Sequence, residues 1–231
     1  MKKLATLVTA MGLIALFATS ALAANQVRIS QVYGGGGASS GSPTYTQDYI
    51  ELFNSGGTVV DISNWALEYG SATGNWGSST GNYYVFPAGS KIQPCSYVLV
   101  LAGTPGSAGA TNPVAGDFTG PMNLSATSGK VALFNALNSN VACGSETAGT
   151  LVDKVAYGTG TCAEGTAVAL LSTTTGAVRN NGGNTDTDNN VSDFTIVTNP
   201  VPHDAASGPN ANCQVTPTER SSWGQLKSFY R

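Results

Sequence analysis

Charge is the scarcest thing in this chain. Asp, Glu, Lys and Arg together make up 10% of its 231 residues, against roughly 25% in an average globular protein. The ten Lys and Arg against thirteen Asp and Glu leave no basic cluster for a broad phosphate-binding face. There is one histidine, His203, in Pro200-Val201-Pro202-His203-Asp204, where it reads as an exposed linker residue. No G-x-S-x-G turn accompanies it, so a serine hydrolase constellation has no visible nucleophile. No C-x-x-C pair exists, which argues against a zinc site. The glycine run Gly34 to Gly37 lacks the G-x-G-x-x-G spacing, and no helical pattern follows it to offer a helix N-terminus to a phosphate. Between Gln26 and Val201 no helical period is sustained. Asp48 and Glu51, three apart in a strand pattern, fall on opposite faces, the wrong arrangement for a glycosidase carboxylate pair.

What is present begins with an export signal. Met1-Lys2-Lys3 is followed by an apolar run from Leu4 to Ala18 and by Ala21-Leu22-Ala23, the three parts of a secretory signal peptide. The run is too short for a membrane span, and cleavage after Ala23 is expected. Losing Lys2 and Lys3 takes the formal net charge from −3 to −5. The four cysteines, Cys95, Cys143, Cys162 and Cys213, then read as two disulfides with three available connectivities. Cys143 and Cys162 flank the strand-like Leu151–Tyr157 and are paired locally. That leaves Cys95 with Cys213.

Short apolar or alternating runs recur about every ten residues between Gly, Pro and Asn turns, the pattern of a sandwich or barrel. The expected strands are Ile29–Tyr33, Asp48–Phe53, Val59–Ile62, Trp65–Tyr69, Tyr83–Phe86, Tyr97–Leu101, Lys130–Phe134, Val152–Tyr157, Ala167–Leu171 and Phe194–Val197. Three loops are long, Gly34–Thr46, Gly70–Asn82 and Gly103–Ser128, and long loops on a rigid scaffold are where binding usually resides. Trp65 reads as a core residue, whereas Trp76, between Asn75 and Gly77, is the loop aromatic expected to meet a partner. In Asp186-Thr187-Asp188-Asn189-Asn190 alternate oxygens at Asp186, Asp188 and Asn190, with Asp193 beyond, make a candidate calcium loop. It is not an EF-hand, since Val191 and Val197 stand where Gly and Glu would be needed. The competing reading is an Asx turn that caps itself.

The last segment is different in kind. After the linker Val215-Thr216-Pro217-Thr218, a short helix is expected over Ser221–Arg231, with Trp223, Leu226 and Tyr230 on one face and Lys227 and Arg231 at its end. It looks like the short W-G-x-[LIV]-K-x-x-[YF]-R ends of some exported bacterial proteins. A docking or sorting tail is one reading; a helix packed back on its own domain is the other.

Ile29-Ser30-Gln31-Val32-Tyr33-Gly34-Gly35-Gly36-Gly37, Asp48–Asn54 and Val60-Asp61-Ile62-Ser63-Asn64-Trp65-Ala66-Leu67-Glu68-Tyr69 together resemble the bacterial secreted branch of the lamin-tail domain family. Further matches lie in Asp153–Gly158, Cys162–Gly165 and Asp186–Phe194. The resemblance implies an immunoglobulin-like β-sandwich of the lamin-tail type, here with long Gly/Ser-rich loops. It also implies a non-catalytic module of the kind that often accompanies extracellular nucleases and surface enzymes. The chain departs from the usual pattern at Pro94-Cys95-Ser96-Tyr97, where a glycine-containing turn normally precedes the strand. It departs again at Asn184, where many relatives carry a cysteine.

The expected organisation is a signal peptide over 1–23, the sandwich over 24–213, and a linker with an aromatic-basic tail over 214–231. The expected role is binding or scaffolding outside the cytoplasm, secreted, surface-held or periplasmic, through loops that meet an extracellular protein or a surface polymer. The alternatives are an accessory to extracellular nucleic-acid degradation and a calcium-dependent carbohydrate-binding module.

Overall fold

Asp48–Asn54 forms a strand in which all seven residues are buried. Successive side chains of a strand point to opposite faces, so this one needs a layer on each side. Ile50 and Leu52 turn towards the main core, and Tyr49 enters a second apolar cluster with Tyr33, Tyr45 and Leu99. The computed structural model describes residues 26–213, and both layers lie within them.

The strands are β1 Val27–Tyr33, β2 Asp48–Asn54, β3 Val60–Asp61, β4 Ala66–Ser71, β5 Tyr83–Val85, β6 Lys91–Ile92, β7 Tyr97–Ala102, β8 Phe118–Gly120, β9 Gly129–Phe134, β10 Leu151–Tyr157, β11 Thr175–Arg179 and β12 Phe194–Thr198. A single-turn helix, α1, spans Asn190–Asp193. One sheet has six strands in the order β12-β11-β1-β2-β7-β8, the other four in the order β10-β9-β4-β5, and β3 pairs β6 apart from both. All pairings are antiparallel except β7 with β8. The core between the sheets contains Ile29, Val32, Ile50, Leu52, Val98 and Val100 from the larger, facing Leu67, Tyr69, Val131, Leu133, Val155 and Tyr157 from the smaller. This is the immunoglobulin-like sandwich expected from the sequence.

Ile29 and Val32 both lie in this core although they are three residues apart, which a regular strand forbids. The register of β1 against β2 shifts between Ile29 and Gln31, a bulge that absorbs Ser30. Its hydroxyl turns to Glu51 Oε1 at 2.6 Å.

The strand expected at Ala167–Leu171 does not form. Only Val168 bridges Tyr157 there, and Leu170 is 62% exposed. The chain instead enters the sheet at β11, which pairs β1 on one side and β12 on the other. Its sequence, Thr175-Gly176-Ala177-Val178-Arg179, carries little apolar pattern. Glycine is required at 176 because a Cβ there would meet Pro200 Cγ at 2.9 Å and the Val32 carbonyl at 3.0 Å.

Arg179 ends β11 fully buried, and it joins the two sheets. Its Nε donates to the Ile29 carbonyl at 2.9 Å and its Nη2 to Asp153 Oδ2 of β10 at 2.7 Å. The same carboxylate oxygen accepts the Ile29 amide at 2.6 Å. The guanidinium lies 4.5 Å from the Phe194 ring centre.

Cys95 pairs with Cys213 and Cys143 with Cys162, at Cα separations of 5.5 and 6.1 Å, the connectivity expected. The signal peptide and the tail residues Trp223, Leu226, Lys227, Tyr230 and Arg231 lie outside the described residues.

Removing Asp153 leaves the buried Arg179 Nη2 and the Ile29 amide without their acceptor, while Asp186 still meets the guanidinium. Asp153→Ala is therefore expected to lose about 3 kcal/mol in urea unfolding. The double change Asp153→Leu with Arg179→Met is expected to lose less than Asp153→Ala alone.

Candidate functional site

Two of the three long stretches, 34–47 and 103–128, meet at the same end of the larger sheet, the second carrying the short strand β8 where the sequence offered only loop, and Asp48 at the start of β2 ties them together. Its Oδ1 accepts the Gly36 amide at 2.7 Å and its Oδ2 the Leu124 amide at 2.8 Å. Close approach explains the glycine at 36, where a Cβ would stand 2.0 Å from the Gln47 carbonyl carbon. The loops also share a backbone ladder. Thr46 N donates to Ala110 O at 2.8 Å, Ala110 N to Thr44 O at 2.9 Å, and Gly106 N to Thr46 O at 2.7 Å. Gln47 Nε2 adds a bond to Gly103 O at 2.6 Å. Beneath them Tyr33 and Tyr49 stack at 5.4 Å, with the Tyr45 ring edge-on to Tyr33 at 5.7 Å.

Between the loops opens a cleft of about 410 Å³ lined by Thr46, Gln47, Leu101, Thr111, Asn112 and Val114, with Pro105 and Ala115 at its side. The lining holds hydroxyls, amides and small apolar groups, and neither a charge nor an aromatic ring. Such a surface is mainly apolar and gives no counter-charge to a phosphate.

A second polar arrangement lies on the same sheet's outer face. Glu51 is 1% exposed. It accepts Ser30 Oγ at 2.6 Å, Gln31 Nε2 at 3.1 Å and the His203 amide at 2.6 Å. His203 Nδ1 lies 3.1 Å from the same Oε2, and its ring stacks on Tyr97 at 4.6 Å. His203 is thus no free linker residue, because the segment carrying it crosses the sheet and is held there. The order Ser30–Glu51–His203 places the carboxylate in the middle, so the imidazole does not reach the serine hydroxyl as a general base would. The carboxylate raises the affinity of His203 for a proton above the ordinary imidazole value.

Trp76 is not the exposed platform the sequence suggested. It is fully buried, its indole N–H donates to Glu146 Oε1 at 2.8 Å, and Phe134 meets its ring edge-on. The outer face of the smaller sheet offers Ala132 and Phe134, and an indole covers that apolar area more favourably than water does.

The candidate calcium loop does not converge on one ion. Asp193 is buried and accepts Thr187 N, Thr187 Oγ1 and Asn189 N. Asn190 Oδ1 accepts Ala156 N and Glu164 N. Asp186 pairs with Arg28 at 2.9 Å and Arg179 at 3.3 Å. Asp188 holds a left-handed backbone with φ 55°, and the Asp193 carboxylate caps the amides of the turn that precedes it. Among the described residues the carboxylates that do approach one another are Asp153, Glu164 and Asp186, within 4.8 Å. The Arg179 guanidinium already supplies their cation, bonded to Asp153 and Asp186. Glu164, which the sequence did not single out for this, is pushed up to about 8 by burial and by the charge of Asp153.

The Lamin Tail Domain family pattern matches residues 20–159. The chain belongs to the lamin tail domain family. The crystal structure of a DUF4876 family protein from Bacteroides thetaiotaomicron is similar over 84% of this chain and 75% of that one, at 11% identity and a TM-score of 0.46. No curated protein matches. In this lamin tail domain, Asp48 and the cleft loops lie inside the matched region. The strands β11 and β12 and the His203 segment lie beyond it.

Asp48 and Glu51, on opposite faces of the strand as the sequence implies, each organise hydrogen bonds in the fold. Sequence reasoning missed Thr111, Asn112 and His203 as parts of built surfaces, since nothing in a loop's composition reports which atoms it meets.

Burial pushes Asp48 up to about 7 against the pull of its two amide donors. A carboxyl raised above its unfolded value of 3.8 binds its proton more tightly in the native state. Its contribution is fully present below that value and is lost as pH rises through about 7. Urea unfolding is expected to show stability falling between pH 4 and 8, by up to about 4 kcal/mol from this group. Asp48→Asn is expected to remove that share and leave the smaller slope set by Glu164.

Proposed function

We propose that this lamin tail domain is an exported, non-catalytic binding or scaffolding module, and that the platform formed by loops 34–47 and 103–128 holds an extracellular protein or a surface polymer. The observation that carries this reading is the ladder joining the two loops through Thr44, Thr46, Gly106 and Ala110, with Asp48 beneath. A loop already ordered gives up less conformational entropy on binding, so more of the contact energy is left for affinity. Two loops that share hydrogen bonds and enclose a cleft are preorganised in this sense.

Export is supported by the N-terminal Lys2-Lys3, apolar and Ala21-Leu22-Ala23 pattern and by two disulfides, which persist in oxidising compartments. Among the described residues no helix is long and apolar enough to cross a membrane. The uncharged cleft supports a neutral partner over a polyanion, whose recognition rests on Lys and Arg.

Binding of the purified protein to cell-wall polysaccharide, to surface-protein extract and to duplex DNA tests the reading. Saturable binding to the first or second is expected, weakened at least about tenfold by Ala115→Trp, which fills the cleft, with the melting temperature unchanged. Equal binding by that variant would remove the cleft from the account. Binding to DNA alone, falling steeply with salt, would favour the nucleic-acid accessory instead.

A further inference from the structure

Trp76 covers the outer face of the four-stranded sheet, and the loop of residues 135–150 is fastened to it and its surroundings by several ties, of which four stand out. Trp76 and Val141 exchange backbone hydrogen bonds at 2.9 and 3.2 Å. The Trp76 indole N–H donates to Glu146 Oε1 at 2.8 Å. The Asn138 amide donates to the buried Glu68 Oε1 at 2.6 Å, and the Asn138 Oδ1 accepts Ala148 N and Gly149 N at 3.0 and 2.9 Å. The fourth tie is covalent, Cys143 to Cys162.

The two disulfides sit in different surroundings. Cys95 is 1% exposed and its partner Cys213 half-buried, whereas Cys143 is exposed and its partner Cys162 half-buried. The Lys154 ammonium lies 3.9 Å from Cys162 Sγ. A cation beside a sulfur stabilises its thiolate, and a stabilised thiolate leaves faster in thiol–disulfide exchange. The pair therefore combines an open sulfur for attack with a prepared leaving group.

We propose that Cys143–Cys162 is a thiol-exchange site, open to an external dithiol at Cys143 and releasing Cys162 as a thiolate beside Lys154, so that the loop over Trp76 is tethered or freed by redox state. A dithiol's thiolate attacks Cys143 Sγ and forms a mixed disulfide. The Cys143–Cys162 bond breaks, and its electron pair leaves on Cys162. The dithiol's second thiol, losing its proton to solvent, then attacks its own sulfur in the mixed disulfide and expels Cys143 as a thiolate, which takes up a proton. The cysteine pair gains two electrons and the dithiol ends oxidised. Freed from Cys162, the loop keeps its hydrogen bonds to Glu68, Asn75, Trp76 and Gly77 but no covalent tie. This site is separate from the loop platform and stands whatever that platform binds.

Graded dithiothreitol without denaturant, iodoacetamide trapping and peptide mass mapping of the full chain test the proposal. Cys143 and Cys162 are expected to alkylate at least about tenfold faster than Cys95 and Cys213. Lys154→Met is expected to slow that rate about threefold, the effect of raising the leaving thiol by about one pKa unit. Lys154→Gln is expected to match it, and Lys154→Arg to keep the wild-type rate. Glutamyl endopeptidase is expected to cut after Glu146 in the reduced protein and to spare it in the oxidised one. Reduction of both pairs at one rate, unchanged exchange in both neutral Lys154 variants, or equal cleavage in the two redox states would overturn it.

Discussion

A single buried carboxylate, Glu51, determines how the larger sheet is finished. It stands in the middle of the outer face of β2, where water is excluded, and a buried carboxylate without partners is among the costliest groups a fold can hold. Here the oxygens take hydrogen bonds from Ser30, Gln31 and the backbone and ring of His203. Two of those donors come from β1, and one exists in place because the strand bulges at Ser30. The remaining donors come from the far end of the chain. The segment after β12 crosses the sheet to provide them, with the Pro200 carbonyl accepting Tyr45 and Tyr49 hydroxyls and the Val201 carbonyl accepting Gln31 on the way. A segment with almost no regular structure is thereby turned into a layer of the fold.

That segment lies beyond the region matched to the lamin tail domain family, as do β11 and β12. Together they extend the edge at β1 and cover the face that β1, β2 and β7 turn outwards. The covering segment is fastened at its end by the disulfide from Cys213 to Cys95. Cys95 has φ 54°, a left-handed conformation in which glycine is at ease and a residue with a Cβ costs about 1 kcal/mol. The conformational cost is offset by a crosslink spanning 118 residues, a class of constraint worth about 2–4 kcal/mol.

The sandwich was legible because its central strands carry alternation or continuous apolar runs. Asp48–Asn54, Tyr97–Ala102 and Gly129–Phe134 are found almost residue for residue. The Cys143–Cys162 disulfide was legible from its place around β10, and Cys95 with Cys213 as the pair that remained. Thr175–Arg179 was not, because its partner interactions are made by backbone and by the Arg179 guanidinium rather than by an apolar stripe. Ala167–Leu171 has the composition of a strand and no neighbour to pair with beyond Val168. Trp76 was misplaced because a loop tryptophan looks the same in sequence whether or not another loop lies over it. In Asp186–Asp193 the oxygens suited to calcium are also suited to backbone amides and to Arg28 and Arg179, and the fold delivers those donors. The loop platform was visible as length and small residues, while its shape depends on a ladder between segments some sixty residues apart.

The claim on which the rest depends is that the segment carrying His203 is a structural layer held by Glu51. Amide hydrogen exchange of the native protein tests it most directly at the His203 amide, which donates to Glu51 Oε2 at 2.6 Å. The account predicts protection comparable with the β2 amides, falling at His203 when Glu51 is replaced by Gln. Exchange of the His203 amide at the rate of an open loop, unchanged in Glu51→Gln, would contradict it.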